Sequence, residues 1–391
     1  MPALVARRYD TGRPVRICWD NGRLGVVEPA SESAESLPWV APGWVDIQIN
    51  GYGGREYTNE ALTVDDVVAI DRQLATAGVV RYCPTLTTHS FSTLAHAAGM
   101  IAKACGQDAL LDAGVLGIHL EGPYISPHDG PRGAHPKPFC KAPDWDEFQR
   151  LQEAAEGRIR LVTLSPEYPN ACHFIEQLVA QGITVAIGHT AASVEQIRQA
   201  VSAGARLSTH LGNGCHLELP RHPNYIWEQL AEDRLWASLI VDGHHLPETV
   251  VRCFVRAKQP ERCILVSDIT ALGGMPPGLY HTSLGDVEIL DDGRMVVAGQ
   301  RRLLAGAARP IGDGIVNVMR FAGVDLATAI RMACHHPLRL LGRDEPYLEA
   351  GEWADLVCFD LPAPGEKASP VVLAMVRHGV VVYQQRNVVV D

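Results

Sequence analysis

The chain of 391 residues predicts a barrel of eight parallel strands and eight helices, with a small β-sandwich domain formed from both termini. Three observations predict this fold. Eight short, nearly continuously apolar segments lie between Gly43 and Thr270, helical segments separate most of them, and both chain ends carry short strand-like pieces. Continuous apolar character suits strands buried on both faces, and their alternation with helices is typical of a (β/α)8 barrel. An open, doubly wound parallel sheet is the weaker alternative.

The predicted strands and helices alternate along the chain. The strands are GWVDIQIN, VVRYCPTL, VLGIHLEG, IRLVTLSPE, ITVAIGHT, ARLSTHLG, WASLIVDG and CILVSDIT. The helices between them are TVDDVVAIDRQLATAG, STLAHAAGMIAKACGQ, DWDEFQRLQEAAEG, ACHFIEQLVAQG, SVEQIRQAVSAG and PETVVRCFVRAKQ, several of which end in Gly, a common helix stop. After the eighth strand, VEIL-DDG-RMVV predicts a hairpin. Two further helices, about Ile311–Gly323 and Asp325–Gly342, then complete the barrel.

The two ends of the chain differ from this alternating pattern. Strand-like pieces such as VRICWDNG, ADLVCFDL and VVLAMVRHGVVVYQ lie within residues 1–42 and 350–391, with turn signals between them. We expect both ends to pair as one small β domain, which leaves residues 43–349 for the barrel.

Composition and charge indicate which partners and which cellular compartment to expect. A formal net charge of −11 argues against nucleic acid or an anionic membrane as the main partner. Ten cysteines without a CxxC pair are typical of reduced, mostly buried thiols. The N-terminus lacks the apolar segment of a signal peptide, so we expect a cytoplasmic protein.

Four of the predicted strands end in a side chain that suits a catalytic metal site. Glu121, His189 and His210 each follow an apolar segment, and Asp268 follows the eighth. In a parallel barrel the carboxyl ends of all strands converge on one face. One Glu and two His leave an open position on a zinc ion, which is the arrangement of a catalytic rather than a structural site. The pattern therefore predicts a metal-dependent hydrolase.

Two further residues are candidates for proton transfer and for stabilising charge beside this metal. Asp268 could be a fourth ligand or a helix cap, but we favour a general base because an activated water needs an adjacent proton acceptor. His135, in the loop after the third strand, is either an exposed loop residue or a donor to a developing oxyanion.

Loop residues at the same face are candidates for substrate binding. Asn213 and His245 follow the sixth and seventh strands and could hold polar groups of a substrate. Arg221 and His222 could bind an anionic group, and an ordinary solvated loop is the alternative for both.

Motifs in a fixed order along the chain resemble one enzyme family. They are PGWVDIQINGYGG, HLEGPYIS, RGAHP, TLSPE, IGHTAAS, STHLGNG, DGHHL, LVSDIT, LLAG, HPLRLLG and GEWADLVCFD. In these motifs the sequence resembles the amidohydrolase superfamily, and within it the N-acetylglucosamine-6-phosphate deacetylase family. The resemblance implies hydrolysis of N-acetylglucosamine 6-phosphate to glucosamine 6-phosphate and acetate. It also implies that the metal is held by Glu121, His189 and His210, with Asp268 as acid and base and His135 polarising the acetyl carbonyl.

The resemblance extends to substrate binding and assembly. It implies that Asn213, the Gly214 backbone and His245 position the sugar phosphate. Arg221 stands where family members carry an Arg that reaches the phosphate of the neighbouring subunit, which implies a homodimer with shared sites.

The sequence differs from the family pattern at the place of a second metal site and at positions expected to line the substrate pocket. Many amidohydrolases carry His-x-His at the end of the first strand, where this chain has Gln48-Ile-Asn50. Neither amide competes as a zinc ligand, so the resemblance implies one divalent ion per subunit, with zinc expected. The segment 212–224, Ser267-Asp268-Ile269 and LLAGAARPI also differ from the family, and all would line the substrate pocket.

Three other functions stay open at this point. The substrate could be another N-acylated sugar, such as N-acetylgalactosamine 6-phosphate or an unphosphorylated sugar. The same barrel could hydrolyse a cyclic amide or deaminate a base, because one fold hosts many reactions. From a different class, the chain could be a non-catalytic sensor of a sugar phosphate.

Overall fold

A computed structural model of the chain describes residues 2–282, 285–299, 304–363, 366 and 368–385. Its strands are β1 (Ala3–Arg8), β2 (Pro14–Asp20), β3 (Arg23–Pro29), β4 (Trp39–Pro42), β5 (Trp44–Ile49), β6 (Gly51–Tyr52), β7 (Arg55–Glu56), β8 (Val79–Thr87), β9 (Ile118–Glu121), β10 (Ile159–Leu164), β11 (Thr184–Ile187), β12 (Leu207–Ser208), β13 (Trp236–Ile240), β14 (Cys263–Val266), β15 (Gly278–Thr282), β16 (Gly285–Ile289), β17 (Met295–Val297), β18 (Leu356–Asp360), β19 (Val371–Arg377) and β20 (Val380–Gln384). Its α-helices are α1 (Val64–Thr76), α2 (Phe91–Gln107), α3 (Ala109–Gly114), α4 (Trp145–Ala154), α5 (Ala171–Ala180), α6 (Val194–Ala203), α7 (Tyr225–Ala231), α8 (Glu248–Lys258), α9 (Ile311–Ala322), α10 (Leu326–Ile330) and α11 (His336–Leu340).

The eight predicted barrel strands are all present and pair in chain order. Strands β5, β8, β9, β10, β11, β12, β13 and β14 form one sheet in which every neighbouring pair is parallel. Ile49 at the end of β5 bridges Ile269 just after β14, and the N–H of Asn50 donates to the Ile269 carbonyl at 2.8 Å. The first and last strands therefore meet, which confirms the (β/α)8 barrel over the open sheet.

Local sequence explains most of the helices around the barrel. Thr63 and Ser193 form capping boxes at the starts of α1 and α6, and Gly204 ends α6. Helix α7 was not predicted, although Asn224 caps it by accepting from the N–H groups of Ile226 and Trp227. The isolated Asn cap was hidden in a loop rich in Pro and His.

The last predicted helix, 325–342, is divided into three parts. Helices α10 and α11 flank a π-helical turn at Arg331–His335. Pro337, in the first turn of α11, has no N–H to continue the regular hydrogen-bond ladder. The ladder therefore changes its spacing just before that residue.

Strands from both termini form one seven-stranded sheet in the order β20-β19-β18-β4-β1-β2-β3, so the predicted small β domain needs both chain ends. Two ion pairs join this sheet to the barrel: Arg377 of β19 with Asp71 of α1, and Arg81 of β8 with Asp355. The domain boundaries at residues 42 and 350 stay a prediction.

The segment after β14 carries a small sheet of its own. Strands β16 and β17 form the predicted hairpin, with Ile289 opposite Met295 and Gly293 at positive φ in its turn. The hairpin packs around a separate apolar cluster that includes Leu272 and Val287. Leu303, the first residue of the LLAG motif, lies outside the described residues. In the described part of the chain, no helix combines the length and apolar character needed to cross a membrane.

Candidate metal centre and active site

Glu121, His189 and His210 meet at the carboxyl ends of the barrel strands. Glu121 is the last residue of β9, and the two histidines follow β11 and β12. Glu121 Oε1 lies 3.1 Å from His189 Nε2 and 3.0 Å from His210 Nε2, and the two nitrogens are 2.9 Å apart. All three side chains are buried. The structure thus brings the three predicted ligands together.

The donor atoms of this cluster fit a single cation. The Nδ1–H of His189 donates to the Pro131 carbonyl at 2.9 Å, which leaves a lone pair on Nε2 pointing into the cluster. Atoms about 2.0–2.2 Å from one zinc ion lie roughly 3 to 3.5 Å from each other, which is close to the separations seen here. Among the described residues, these three form the one group of His, Cys, Asp and Glu with metal-binding geometry.

The pKa values of the cluster show that it attracts positive charge. Burial alone would raise the pKa of Glu121, but hydrogen bonds and charge from His189 and His210 hold it well below its usual value. Burial alone would lower the pKa of His210, but Glu121 outweighs burial and raises it. A buried carboxylate of this kind needs a cation beside it.

Three residues of the site have a strained backbone. The φ angles of His189, His210 and Asp268 are 48°, 30° and 51°. Such left-handed conformations are uncommon for residues other than glycine, and they concentrate at functional sites where the surrounding structure offsets the strain. Each of the three follows the end of a barrel strand, so the barrel supplies that support.

Asp268 is held next to the cluster by an amide. The Nδ2 of Asn50 donates to Asp268 Oδ1 at 2.8 Å. Burial and the nearby Glu121 carboxylate raise the pKa of Asp268 to about 6, while His210 and His245 act in the opposite direction. A carboxyl group with this pKa can both accept and release a proton near neutral pH.

His135 is buried, so the alternative of an exposed loop residue is wrong. Its ring centroid lies 4.3 Å from that of His189, and its Nδ1 is 2.9 Å from Thr88 Oγ1. Burial lowers the pKa of His135 to about 3, so the imidazole is neutral at physiological pH. When the Thr88 hydroxyl donates to Nδ1, the ring carries its proton on Nε2 and can donate it to an oxyanion.

Of the predicted substrate-binding residues, three lie at this face. The Nδ2 of Asn213 donates to the His210 carbonyl at 3.3 Å. Gly214 packs directly on a predicted ligand, because a Cβ at this position would lie 2.7 Å from His189 Nδ1. His245 Nδ1 lies 2.7 Å from Asp242 Oδ2.

Arg221 and His222 are placed differently. Both are exposed on the loop 212–224, and no hydrogen bond or ion pair in the described part of the chain joins either of them to the cluster. Within one chain, therefore, the predicted anion-binding residues stay apart from the metal cluster.

Sequence reasoning missed four residues that hold the site in place. Gln48 Nε2 donates to Glu121 Oε1 at 2.8 Å, and Asn50, Thr88 and Asp242 contact Asp268, His135 and His245. The amides of Gln48 and Asn50 were interpreted only as the lack of a second metal site. A detectable signal existed, because all four residues lie at or just beyond the carboxyl end of a barrel strand.

Comparison with known proteins agrees with this site. The model of the amidohydrolase family matches residues 39–390. The N-acetylgalactosamine-6-phosphate deacetylase of Escherichia coli O157:H7 is 33% identical over 345 residues, covering 87% of this chain and 89% of that protein. The N-acetylglucosamine-6-phosphate deacetylase of Homo sapiens is 34% identical over 333 residues, covering 82% of this chain and 79% of that protein. The crystal structure of N-acetyl-D-glucosamine-6-phosphate deacetylase from Mycobacterium smegmatis is 31% identical with a TM-score of 0.85, covering 97% of this chain and 100% of that one.

The chain therefore belongs to the amidohydrolase family. Within that family it groups with deacetylases of N-acetylated amino sugar 6-phosphates. The predicted family, fold and enzyme class, a metal-dependent hydrolase of amide bonds, are confirmed.

Proposed function

We propose that the protein hydrolyses the N-acetyl amide of N-acetylglucosamine 6-phosphate to glucosamine 6-phosphate and acetate. The observation that carries the proposal is the buried cluster of Glu121, His189 and His210, with Asp268 beside it, in an amidohydrolase barrel. Deacetylases of this substrate from Homo sapiens and Mycobacterium smegmatis, at 34% and 31% identity, support the choice of sugar.

Glu121, His189 and His210 would hold one divalent ion, which we propose is zinc because a carboxylate with two imidazoles is a common catalytic zinc set. When bound, the ion supplies Lewis acidity, polarising a carbonyl oxygen and lowering the pKa of water. Gln48 and Asn50 are occupied by hydrogen bonds to Glu121 and Asp268, which supports one ion per subunit.

The remaining side chains move the proton and stabilise charge. Asp268 accepts the proton of the attacking water while Asn50 keeps its carboxylate in place. The same carboxylic acid then protonates the departing amine, so one residue acts in both directions. His135, positioned by Thr88, donates to the oxyanion that forms on the acetyl carbonyl.

Substrate binding extends from this centre to the loops. Asn213, the Gly214 backbone and His245 would hold the sugar phosphate. Arg221 would bind the phosphate in the site of a second subunit, giving a homodimer. Its loop and the following helix expose the apolar side chains of Leu217 (97%) and Trp227 (54%), which suits a surface covered by another chain.

We also propose that the protein is located in the cytoplasm. All ten cysteines of the chain are free, which suits a reducing compartment.

The experiment that tests the function is a screen for released acetate. The purified protein would be given the 6-phosphates of N-acetylglucosamine and N-acetylgalactosamine, and both unphosphorylated sugars, with metal content measured in parallel. We expect the highest kcat/KM on N-acetylglucosamine 6-phosphate and one equivalent of metal per chain. The 33% identity to a galactosamine-type deacetylase makes the second sugar phosphate the decisive comparison. A higher kcat/KM on that sugar, or no acetate from any of the four, would refute the proposal.

A further inference from the structure

Asp46, in the middle of β5, is a carboxylate enclosed within the barrel. Its side chain is fully buried, and its two oxygens lie 3.3 Å and 3.2 Å from the backbone nitrogen of Ser267, whose N–H donates to them. Oδ1 also accepts from the N–H of Gln48 at 3.2 Å. Strand β5 is the first strand of the barrel, and Ser267 directly follows β14, the last. Asp46 therefore joins the two strands that close the barrel.

This carboxylate is costly to bury, because no ion pair among the described residues includes it. Burial, with a smaller contribution from the charge of Asp268, raises the pKa of Asp46 to about 7. Hydrogen bonds from Ser267 and Gln48 act in the opposite direction. At a position that served stability alone, an apolar or a fully paired side chain would cost less. Such perturbed groups concentrate at functional sites.

The contact with Ser267 fixes the backbone next to the proposed acid and base. Asp268, the following residue, has a φ angle of 51°, a strained conformation that persists only where its surroundings support it. On the far side, the Ile269 carbonyl accepts from the N–H of Asn50 at 2.8 Å. Asp268 is thus held through both of its neighbours, and its carboxylate accepts from Asn50 Nδ2 at 2.8 Å.

We propose that Asp46 is a positioning residue, which accepts the N–H of Ser267 and thereby fixes the orientation of Asp268 beside the metal cluster. Gln48 contributes by donating its own N–H to the same carboxylate. The expected effect on turnover rests on the proposed deacetylase function. The expected effect on the place of Asp268 depends only on the hydrogen bonds between the two strands.

Two substitutions of similar volume separate the acceptor from the charge. Asp46→Leu keeps the branched shape but removes both oxygens, so the N–H of Ser267 loses its partner and Asp268 can move. Asp46→Asn removes the charge but keeps Oδ1, which can still accept from both backbone N–H groups. The amide should therefore preserve the place of Asp268, and the apolar side chain should not. Asp46→Ala repeats the first test with a smaller side chain.

Steady-state kinetics on N-acetylglucosamine 6-phosphate measure the effect on turnover. We expect kcat to fall about 10- to 100-fold in Asp46→Leu and to stay within about threefold of the wild type in Asp46→Asn. KM should change less than about threefold in both variants, because Asp46 is enclosed in the barrel and does not reach a substrate. Metal content should match the wild type, because the three predicted ligands are unchanged.

Crystal structures of the wild type and the variants measure the geometry without any assay. The contact of 2.8 Å between Asn50 Nδ2 and Asp268 Oδ1 should be lost in Asp46→Leu and kept in Asp46→Asn. Asp71→Asn is the control for a loss of stability alone, because it breaks the pair with Arg377 at the terminal sheet. Its thermal midpoint should fall while kcat stays at the wild-type value.

Several outcomes would overturn the inference. They are an unmoved Asp268 or a wild-type kcat in Asp46→Leu, an equal fall of kcat in Asp46→Asn, or a loss of metal that accounts for the fall. Failure of both Asp46→Leu and Asp46→Ala to fold would assign Asp46 a purely structural role. Failure of the proposed function looks different, because the wild type would then release no acetate. The crystal structures still decide the role of Asp46 in that case.

Discussion

Two groups of charged side chains in this molecule are paired in opposite ways. At the junction between the barrel and the terminal sheet, Arg377 Nη1 lies 2.8 Å and 3.0 Å from the two carboxylate oxygens of Asp71. At the strand ends, the Glu121 carboxylate instead faces two imidazole nitrogens that are 2.9 Å from each other. The first group, in which Arg377 is buried and Asp71 is part-buried, is paired within the chain. The second group is fully buried and presents three ligand atoms to one point. An ion pair closed within the chain indicates a structural role, and convergent ligand atoms indicate a reactive one.

The largest expected effect concerns the reactive group, the metal cluster with Asp268 beside it. Asp268→Asn removes the proton acceptor without changing the predicted ligands, so kcat should fall about 10²- to 10⁴-fold while the metal stays bound. Acetate release and metal content measured on the same preparation check this. Wild-type turnover in the variant would show that another group moves the proton.

The structural side is tested by Arg377→Met, which leaves the part-buried Asp71 carboxylate without its counter-charge. We expect the free energy of unfolding in urea to fall by about 3–5 kcal/mol, since breaking a buried pair costs far more than a surface pair. The double variant Arg377→Met/Asp71→Asn is the control and should recover part of the loss. The prediction fails if the single variant unfolds at the wild-type urea concentration.

A buried neutral histidine away from the metal cluster gives a pH test. Burial lowers the pKa of His336 to about 4, and its Nδ1 lies 2.8 Å from the Cys263 carbonyl. Its unfolded form takes up a proton near pH 6.5, so stability is complete above that pH and is lost as the pH falls toward 4. Between pH 7 and pH 5 this residue should cost about 2 kcal/mol of unfolding free energy. In His336→Gln, the free energy of unfolding should fall less between pH 7 and pH 5 than it does in the wild type, as measured by urea titrations at the two pH values. An equal fall in both proteins would contradict the assignment.

The smallest expected effect concerns the exposed loop, which belongs to neither buried group. Arg221→Ala should raise KM about tenfold on a sugar phosphate, because one charge-assisted contact is lost, and should leave unphosphorylated sugars unaffected. Arg72→Ala, which removes an exposed Arg from α1, is the matched control. Equal KM values for the two variants would show that Arg221 does not bind the substrate phosphate.

Strand positions and the chemistry at their ends were readable from the sequence for a physical reason. Strands covered on both faces are apolar along most of their length, as in β14, where all four residues are apolar and buried. Glu121, His189, His210 and Asp268 were found because each lies at or just beyond the end of such a segment. In contrast, the cap of α7 and the π-helical turn before Pro337 depend on single residues, and such local signals are weak within loops and long helices.

The sequence by itself determined the barrel, the residue types at its strand ends and the family to which the chain belongs. Only the tertiary structure decided which side chains hold those residues in place. Gln48 contacts Glu121 across 73 positions of the chain, and Asn50 contacts Asp268 across 218. The first of these hydrogen bonds needs the first and third barrel strands to lie side by side in the sheet, and the second exists only after the first and last strands have met. Periodicity and composition act over a few residues, whereas barrel closure acts over the whole chain.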